Sequence, residues 1–588
     1  MKSGILVLVL TLAAMRPVLA QEGKIKIWNP ATDSIQCLEG QAWAGSGKNV
    51  FARLPANLEN KVRKEVWNLS QHTAGLSLRF RTNASELTVR YTVKGGHQMP
   101  HMPATGVSGM DLYSKSIDGQ WLWCAGRYTF GDTLSYRFVN LPSKDQHVSN
   151  WEYTLYLPLY NSIKWMEISM PAECEWRPLP VRNEKPVIVY GTSIAQGGCA
   201  SRPGLAWTNI LARKLNSPVV NLGFSGNGRL ETEILELMGK TDAKAFVLDC
   251  LPNLMPPAFT GEEVKNRIQQ AIGLLRKARP EVPILLTDHD GYTDEAMNEA
   301  RRKDYTGVNQ ALHEILYSIR KEGIGRLYHL PKAEINQDIE TMVDGVHPND
   351  IGMMRYAEAY ERILRKILDM EDGGTVTTTA VTQRRDARIY DWETRHEEIL
   401  DYNKNHQPEI VFLGNSITHF WGGLPPNPVN NGPEAWIKHF GSRRIVNMGF
   451  GWDRVENVLW RVHHGTLDGF KAKQIVLMIG TNNLHLNTDE EIVEGLRYLI
   501  QAIQSKQPQS TILLMGILPR RNTEERVVQI NKKIANLASG KNIQYADAGP
   551  LFVRADQKID EALFTDGLHP NEMGYDRLGG FIIRWMDQ

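Results

Sequence analysis

The stretch Val187-Ile188-Val189-Tyr190-Gly191-Thr192-Ser193 decides the fold, and it is echoed by Ile410-Val411-Phe412-Leu413-Gly414-Asn415-Ser416. Each is a short apolar run without alternation that stops at a glycine, the pattern of a strand buried on both faces of a helix-covered parallel sheet. The Gly-x-Ser at its end sets a serine on a tight turn at the carboxyl end of the strand, where an open α/β sheet leaves a crevice for ligand. Working outward, Val219-Val220-Asn221-Leu222, Ala245-Phe246-Val247-Leu248 and Pro283-Ile284-Leu285-Leu286 follow the first run. Arg444-Ile445-Val446-Asn447, Ile475-Val476-Leu477-Met478 and Ile512-Leu513-Leu514-Met515 follow the second, with helical stretches between. This alternation predicts two α/β/α domains with flavodoxin-like parallel sheets, at 181–370 and 389–588. A period of roughly two hundred residues marks domain duplication and not a stacked solenoid.

Each module closes on a second signal, Asp344-Gly345-Val346-His347-Pro348-Asn349 and Asp566-Gly567-Leu568-His569-Pro570-Asn571. An aspartate three residues before a histidine can hold the imidazole Nδ1–H, so that Nε2 faces a serine as general base. The serine-to-histidine separations match to within one residue in the two copies. Ser193, Asp344 and His347 are therefore candidate catalytic residues of the first module, and Ser416, Asp566 and His569 of the second.

With these blocks the chain resembles the SGNH (GDSL-like) hydrolase superfamily, whose four blocks supply serine, glycine, asparagine and histidine. The second block matches Gly226 in Asn221-Leu222-Gly223-Phe224-Ser225-Gly226-Asn227 and Gly451 in Asn447-Met448-Gly449-Phe450-Gly451-Trp452-Asp453. The third matches Asn253 in Leu251-Pro252-Asn253 and Asn482 in Gly480-Thr481-Asn482-Asn483. The resemblance implies an oxyanion hole made of the serine N–H, the N–H of Gly226 or Gly451, and the side-chain amide of Asn253 or Asn482. In acyl transfer one such donor is worth roughly 3–4 kcal/mol. The family's usual Gly-x-Asn-Asp becomes Leu251-Pro252-Asn253-Leu254 in the first module, and Asn483 replaces the acid in the second. From about Tyr390 onward the chain is similar to the catalytic subunits of platelet-activating-factor acetylhydrolase, through Val458-Leu459-Trp460-Arg461, Gly480 to Asn483 and Ile517-Leu518-Pro519-Arg520. Gly109-Met110-Asp111-Leu112-Tyr113 resembles the signature of the GxDLY domain found at the N-terminus of bacterial esterases.

The region 22–178 alternates with a period of two. Leu76, Leu78 and Phe80, a turn at Asn83-Ala84-Ser85, then Leu87, Val89, Tyr91 and Val93 predict a hairpin. Asp118-Gly119 marks another turn, Trp151 to Tyr160 and Ile163 to Met170 read as strands, and the whole predicts a β-sandwich. The stretch 371–388, rich in Gly and Thr and then charged, predicts a linker. Lys2, the apolar run Gly4 to Met15 and Val18-Leu19-Ala20 predict a cleavable signal peptide at 1–20 and a protein exported to the periplasm or beyond the cell. That run is too short to cross a hydrocarbon core of about 30 Å, so no stable membrane insertion is expected.

A net charge of +1, with no basic stretch interleaved with aromatics, excludes a nucleic-acid partner. Five cysteines leave at least one thiol unpaired, and no C-x-x-C spacing supports zinc or redox chemistry. His289, between Asp288 and Asp290, reads as a solvated loop residue; no metal and no cofactor are expected. Gly45-Ser46-Gly47-Lys48 lacks the first glycine and the hydroxyl of a phosphate-binding loop. Trp207, Trp421 and Trp452 are read as core residues or as walls of a sugar or acyl pocket. His97 and His101 are loop positions of a β domain expected to wall the first site. The expected function is an exported esterase that removes O-acetyl groups from glycans such as hemicellulose, pectin or sialic acid at two serines. The rivals are a lipid acyl hydrolase or lysophospholipase, and a pair in which one module is only a binding or structural copy. Oligomeric state is not legible.

Overall fold

The computed structural model describes residues 24–43, 49–143, 151–540 and 542–587; the expected signal peptide and Gly45 to Lys48 lie outside them. Two five-stranded parallel sheets dominate. In the first, the spatial order is Val219–Gly223, Val187–Gly191, Ala245–Asp249, Ile284–Thr287, Leu327–Leu330, and in the second it is Ile445–Gly449, Ile410–Gly414, Gln474–Met478, Thr511–Met515, Ile543–Ala546. Both follow the order 2-1-3-4-5 with helices on both faces, so the first strand sits beside the point where the winding reverses. The register is the same: Gly191 pairs with Gly223 and Asp249, and Gly414 with Gly449 and Met478. The fifth strands escaped the apolar pattern because polar residues interrupt them, His329 at a half-buried position in the first and Gln544 at an exposed position in the second.

The N-terminal region forms two antiparallel sheets around one core that includes Leu78, Phe80, Val89, Tyr136, Leu155 and Ile168. The expected hairpin is not one. Ser77–Thr82 pairs with Trp151–Tyr156 in one sheet, whereas Glu86–Val93 pairs with Leu134–Val139 and Ile163–Pro171 in the other. Alternation reports only that each strand turns one face to a core, and here the two strands face the same core from opposite sides, with buried Ala84 at the corner. The Asp118-Gly119 turn does join paired strands, Asp111–Lys115 and Trp121–Cys124.

The outer face of the Ser77–Thr82 sheet is covered. Arg79 and Arg81 are buried there and share Glu152; Arg79 also meets Glu39 (3.1 Å) and Glu393 (2.5 Å), and Arg81 meets Asp391. Buried charges persist only when paired, and these pairs dock the sheet on the first helix of the second module, Trp392–His406. Against the first module, the buried Arg53 guanidinium donates to the carbonyls of Asn221 (3.0 Å) and Gly223 (2.8 Å). Asp111 of the Gly-x-Asp-Leu-Tyr motif accepts from Gly204 N–H (2.9 Å), Arg202 (2.5 Å) and Trp123 Nε1 (2.7 Å). The stretch 371–388 connects the modules but is no free tether. Gln383, Arg384, Arg385 and Asp386 are buried, Gln383 Nε2 donates to Gly451 O at 2.9 Å, and Arg385 Nε donates to Asp118 at 2.8 Å. Burial of polar side chains, with Gln383 and Arg385 hydrogen-bonded and Asp386 Oδ2 left without a partner among the described residues, leaves no apolar period to read. All five cysteines are free thiols.

Candidate active sites

Both serines open a short helix directly after the first strand of their sheet, Ser193–Gln196 and Ser416–His419. The x of Gly-x-Ser caps that helix: Thr192 Oγ1 accepts from Ile194 N–H and Asn415 Oδ1 from Ile417 N–H. The glycine before it cannot carry a side chain, since a Cβ on Gly191 would lie 2.6 Å from that of Ala195 and 3.0 Å from Asp249 O.

Ser193 Oγ lies 2.9 Å from His347 Nε2, and His347 Nδ1 lies 2.8 Å from Asp344 Oδ2. In the second module the distances are 2.8 Å from Ser416 Oγ to His569 Nε2 and 2.7 Å from His569 Nδ1 to Asp566 Oδ2. The other oxygen of each aspartate accepts the backbone N–H of its own histidine at 2.8 Å. Burial would raise the Asp344 and Asp566 carboxyls, but the hydrogen bonds from the histidines outweigh it and hold both below the usual range. Each stays an anion that fixes the ring with Nε2 toward the serine.

The second-block positions need a correction. Phe224 and Phe450 donate to the carbonyls of Gly191 and Gly414, and Asn227 and Asp453 donate back to Phe224 and Phe450. Ser225 therefore matches Gly451, and Gly226 matches Trp452. The Gly451 N–H is spent on His419 Nδ1 (3.1 Å), just as that of Ser225 is spent on Gln196 Oε1 (3.0 Å). Burial, with Arg395 and Arg461 nearby, drives the His419 pKa far down, so its ring is a neutral acceptor. The next amide belongs to Gly226 (φ +69°) or Trp452 (φ +61°), both in the left-handed conformation, and Trp452 lines the Ser416 cavity whereas Gly451 does not. The sequence hid this because the glycine expected of such a turn is absent from position 452.

Asn253 and Asn482 both sit in a 3-10 turn after the third strand. Asn253 Oδ1 accepts Gly228 N–H (3.0 Å), which leaves its amino group as the donor, and Asn482 Nδ2 donates one hydrogen to Asp453 O (3.0 Å). Asn483, in place of the family's acid, is buried and ties Val455 N–H to Glu456. A cavity of about 560 Å³ at Ser416 is lined by Phe420, Asn482 and His569, by Trp452 and Ile389, and by Asn431, His485 and Arg520. Asp386 of the connecting stretch also lines it; burial pushes its carboxyl up to about 6 against the pull of His569. The tryptophans divide. Trp207 stacks on Tyr360 and Trp421 on Tyr575, both fully buried, whereas Trp452 is 44% exposed at the cavity. In the first module His101 lays its ring 5.7 Å from that of His347, at 28°. His289 is buried and not solvated, bonded through Asn309 and Gly291 N–H. Its neighbour Asp288 instead gathers His313 (2.9 Å) and His329 (2.7 Å) onto one oxygen.

A serine, a histidine and an aspartate in relay at the carboxyl end of a parallel sheet, present twice, define a serine-dependent carboxylic ester hydrolase. Residues 184–365 and 412–577 match two different models, each described as the GDSL-like lipase/acylhydrolase family, and 25–175 match that of the N-terminus of SGNH-hydrolase-type esterases. The chain belongs to the GDSL-like (SGNH) hydrolases and carries two modules of that family in tandem. It is 31% identical over 189 residues to the human platelet-activating factor acetylhydrolase IB subunit alpha1, covering 31% of this chain and 78% of that protein. The human alpha2 subunit is 31% identical over 192 residues, covering 32% and 80%. A solved structure described as a GDSL-like lipase from Bacteroides ovatus is 30% identical with a TM-score of 0.54, covering 59% of this chain and 99% of that one. Among the described residues no helix is long and apolar enough to cross a membrane.

Proposed function

We propose that the chain is an exported esterase that removes O-acetyl groups from glycans at two serines. Ser193 or Ser416 attacks the ester carbonyl while His347 or His569 takes the proton through Nε2, with Asp344 or Asp566 holding the ring. The developing oxyanion is held by the serine amide, by the amide of Gly226 or Trp452, and by the side chain of Asn253 or Asn482. The histidine returns its proton to the leaving alcohol, and water releases the acyl group. The N-terminal sheets act as a sandwich that braces both modules.

The observation that carries the substrate reading is the Ser416 cavity, where an exposed indole stands beside the nucleophile and Asn431, His485 and Arg520 form a polar rim. An aromatic plane with convergent hydrogen-bonding groups suits a sugar face better than an alkyl chain. Relatives named for an acetylhydrolase activity support a short acyl group. Ser193→Ala and Ser416→Ala, singly and together, are to be assayed on p-nitrophenyl acetate, on a long-chain ester and on acetylated xylan. Both single variants should retain part of the acetate release and the double variant none; a preference for the long chain would refute the glycan reading in favour of a lipid acyl ester.

A further inference from the structure

The first site carries a cluster that the esterase relay does not use. The segment after Ser193 is Gly197-Gly198-Cys199, with Gly197 at φ +104° and Cys199 itself at φ +72°, a conformation that disfavours any side chain. Gly198 lies so close to the relay that a Cβ there would stand 3.0 Å from Ser193 O and 3.2 Å from Cδ2 of His347. This backbone delivers the buried Cys199 thiol to the catalytic histidine. From the other side the loop of the N-terminal region brings His101, exposed, over the same ring. Cys199 Sγ, one nitrogen of His101 and one of His347 all lie within 4.8 Å of one another.

Two imidazoles and a thiolate are the donors a zinc-class ion selects, with Zn–S about 2.3 Å and Zn–N about 2.0–2.1 Å. Tetrahedral angles then ask for donor separations of roughly 3.3–3.6 Å, so the gap to close is at most about 1.5 Å, and exposed His101 is the member able to move. We infer that the first module holds a regulatory metal site, in which a zinc-class divalent ion bound by His101, Cys199 and His347 switches off Ser193 and leaves Ser416 running. Both nitrogens of His347 are committed to the relay, Nε2 to Ser193 and Nδ1 to Asp344, so an ion on either breaks a link. On binding, the thiol releases its proton to solvent and the ion keeps one position for water. Among the described residues the second module offers no such set: six residues past Ser416 stands Gly422, and the ring against His569 is that of Phe420, at 5.2 Å. The switching half of this inference rests on Ser193 being a nucleophile; the binding half does not.

The test is a titration of the full-length protein with Co²⁺, competed by Zn²⁺. A thiolate-to-cobalt charge-transfer band should appear, be displaced by zinc, vanish in Cys199→Ser and need at least tenfold more cobalt in His101→Ala. The Asp288, His313 and His329 group has no sulfur, so it cannot give that band. Ester hydrolysis by Ser416→Ala should fall over the zinc range that displaces cobalt, while Ser193→Ala keeps its activity. Absence of the band, its survival in Cys199→Ser, or equal zinc inhibition of both serine variants would overturn the inference. If Ser416→Ala is inactive without zinc, the Ser193 reading fails and the switch falls with it, while the cobalt band alone decides whether the metal site exists.

Discussion

Replacing Asn482 by alanine in a Ser193→Ala background isolates one donor of the second site. Asn482 is 5% exposed, its amino group gives one hydrogen to Asp453 O at 3.0 Å, and it lines the cavity that holds Ser416 and His569. If its remaining hydrogen meets the oxyanion, its loss costs about 2.7–4 kcal/mol of transition-state stabilisation, or 10²–10³ in kcat. The cost to folding is smaller: one hydrogen bond is worth about 1 kcal/mol, which moves Tm by roughly 2–4 °C in a domain of this size. The interaction strengthens only as charge develops, so kcat should fall and KM hold on p-nitrophenyl acetate at 25 °C. A loss below tenfold, or one carried by KM with kcat intact, would refute the assignment. Calorimetry on the same sample separates a lost donor from a lost fold.

Other outcomes follow from the same geometry. Asp566→Asn in a Ser193→Ala background, or Asp344→Asn in a Ser416→Ala background, should lower kcat by about 10⁴; retention of a tenth of the rate would show that the carboxylate does not orient the histidine. Asp386 has its folded pKa raised from 3.8 to about 6, so above that range the native state carries an ionised group it disfavours, and stability rises as pH falls from about 6 toward 4. Asp386→Asn should therefore be the more stable protein at pH 7, by at most about 3 kcal/mol before solvent screening, with the gap closing near pH 4; equal urea midpoints at pH 7 would contradict this. Asp111→Ala leaves Arg202 and Gly204 N–H without their shared acceptor and should cost roughly 3–5 kcal/mol, read as a lower Tm and faster proteolysis between the N-terminal sheets and the first module.

The parts of this architecture that depend on neighbouring residues were legible. Strands of four or five apolar residues, a serine two residues after a glycine, and an aspartate three residues before a histidine all fall within one local window. The positions settled by tertiary packing were not. Arg79 and Arg81 look like the solvated face of an alternating strand, because Asp391 and Glu393, which neutralise them, stand more than three hundred positions along the chain. The fifth strands lack apolar runs because His329 and Gln544 stand on positions that packing leaves open to solvent. Gly451 attracted the oxyanion role because it was the glycine that matched the family's second block, whereas the left-handed turn is taken by Trp452, whose strain only the folded backbone reveals. His101 and Cys199 come from different domains, and nothing in their spacing joins them.

The paired arginines under the N-terminal sheet also set a timetable. Arg79 and Glu393 are 314 residues apart, and Arg81 and Asp391 are 310. At about 5–20 residues per second a ribosome needs roughly 15–60 s to bridge that interval. Until then Arg79 and Arg81 have only Glu39 and Glu152 to neutralise them, so the docking face of the N-terminal sheets is completed only after the whole first module has been made.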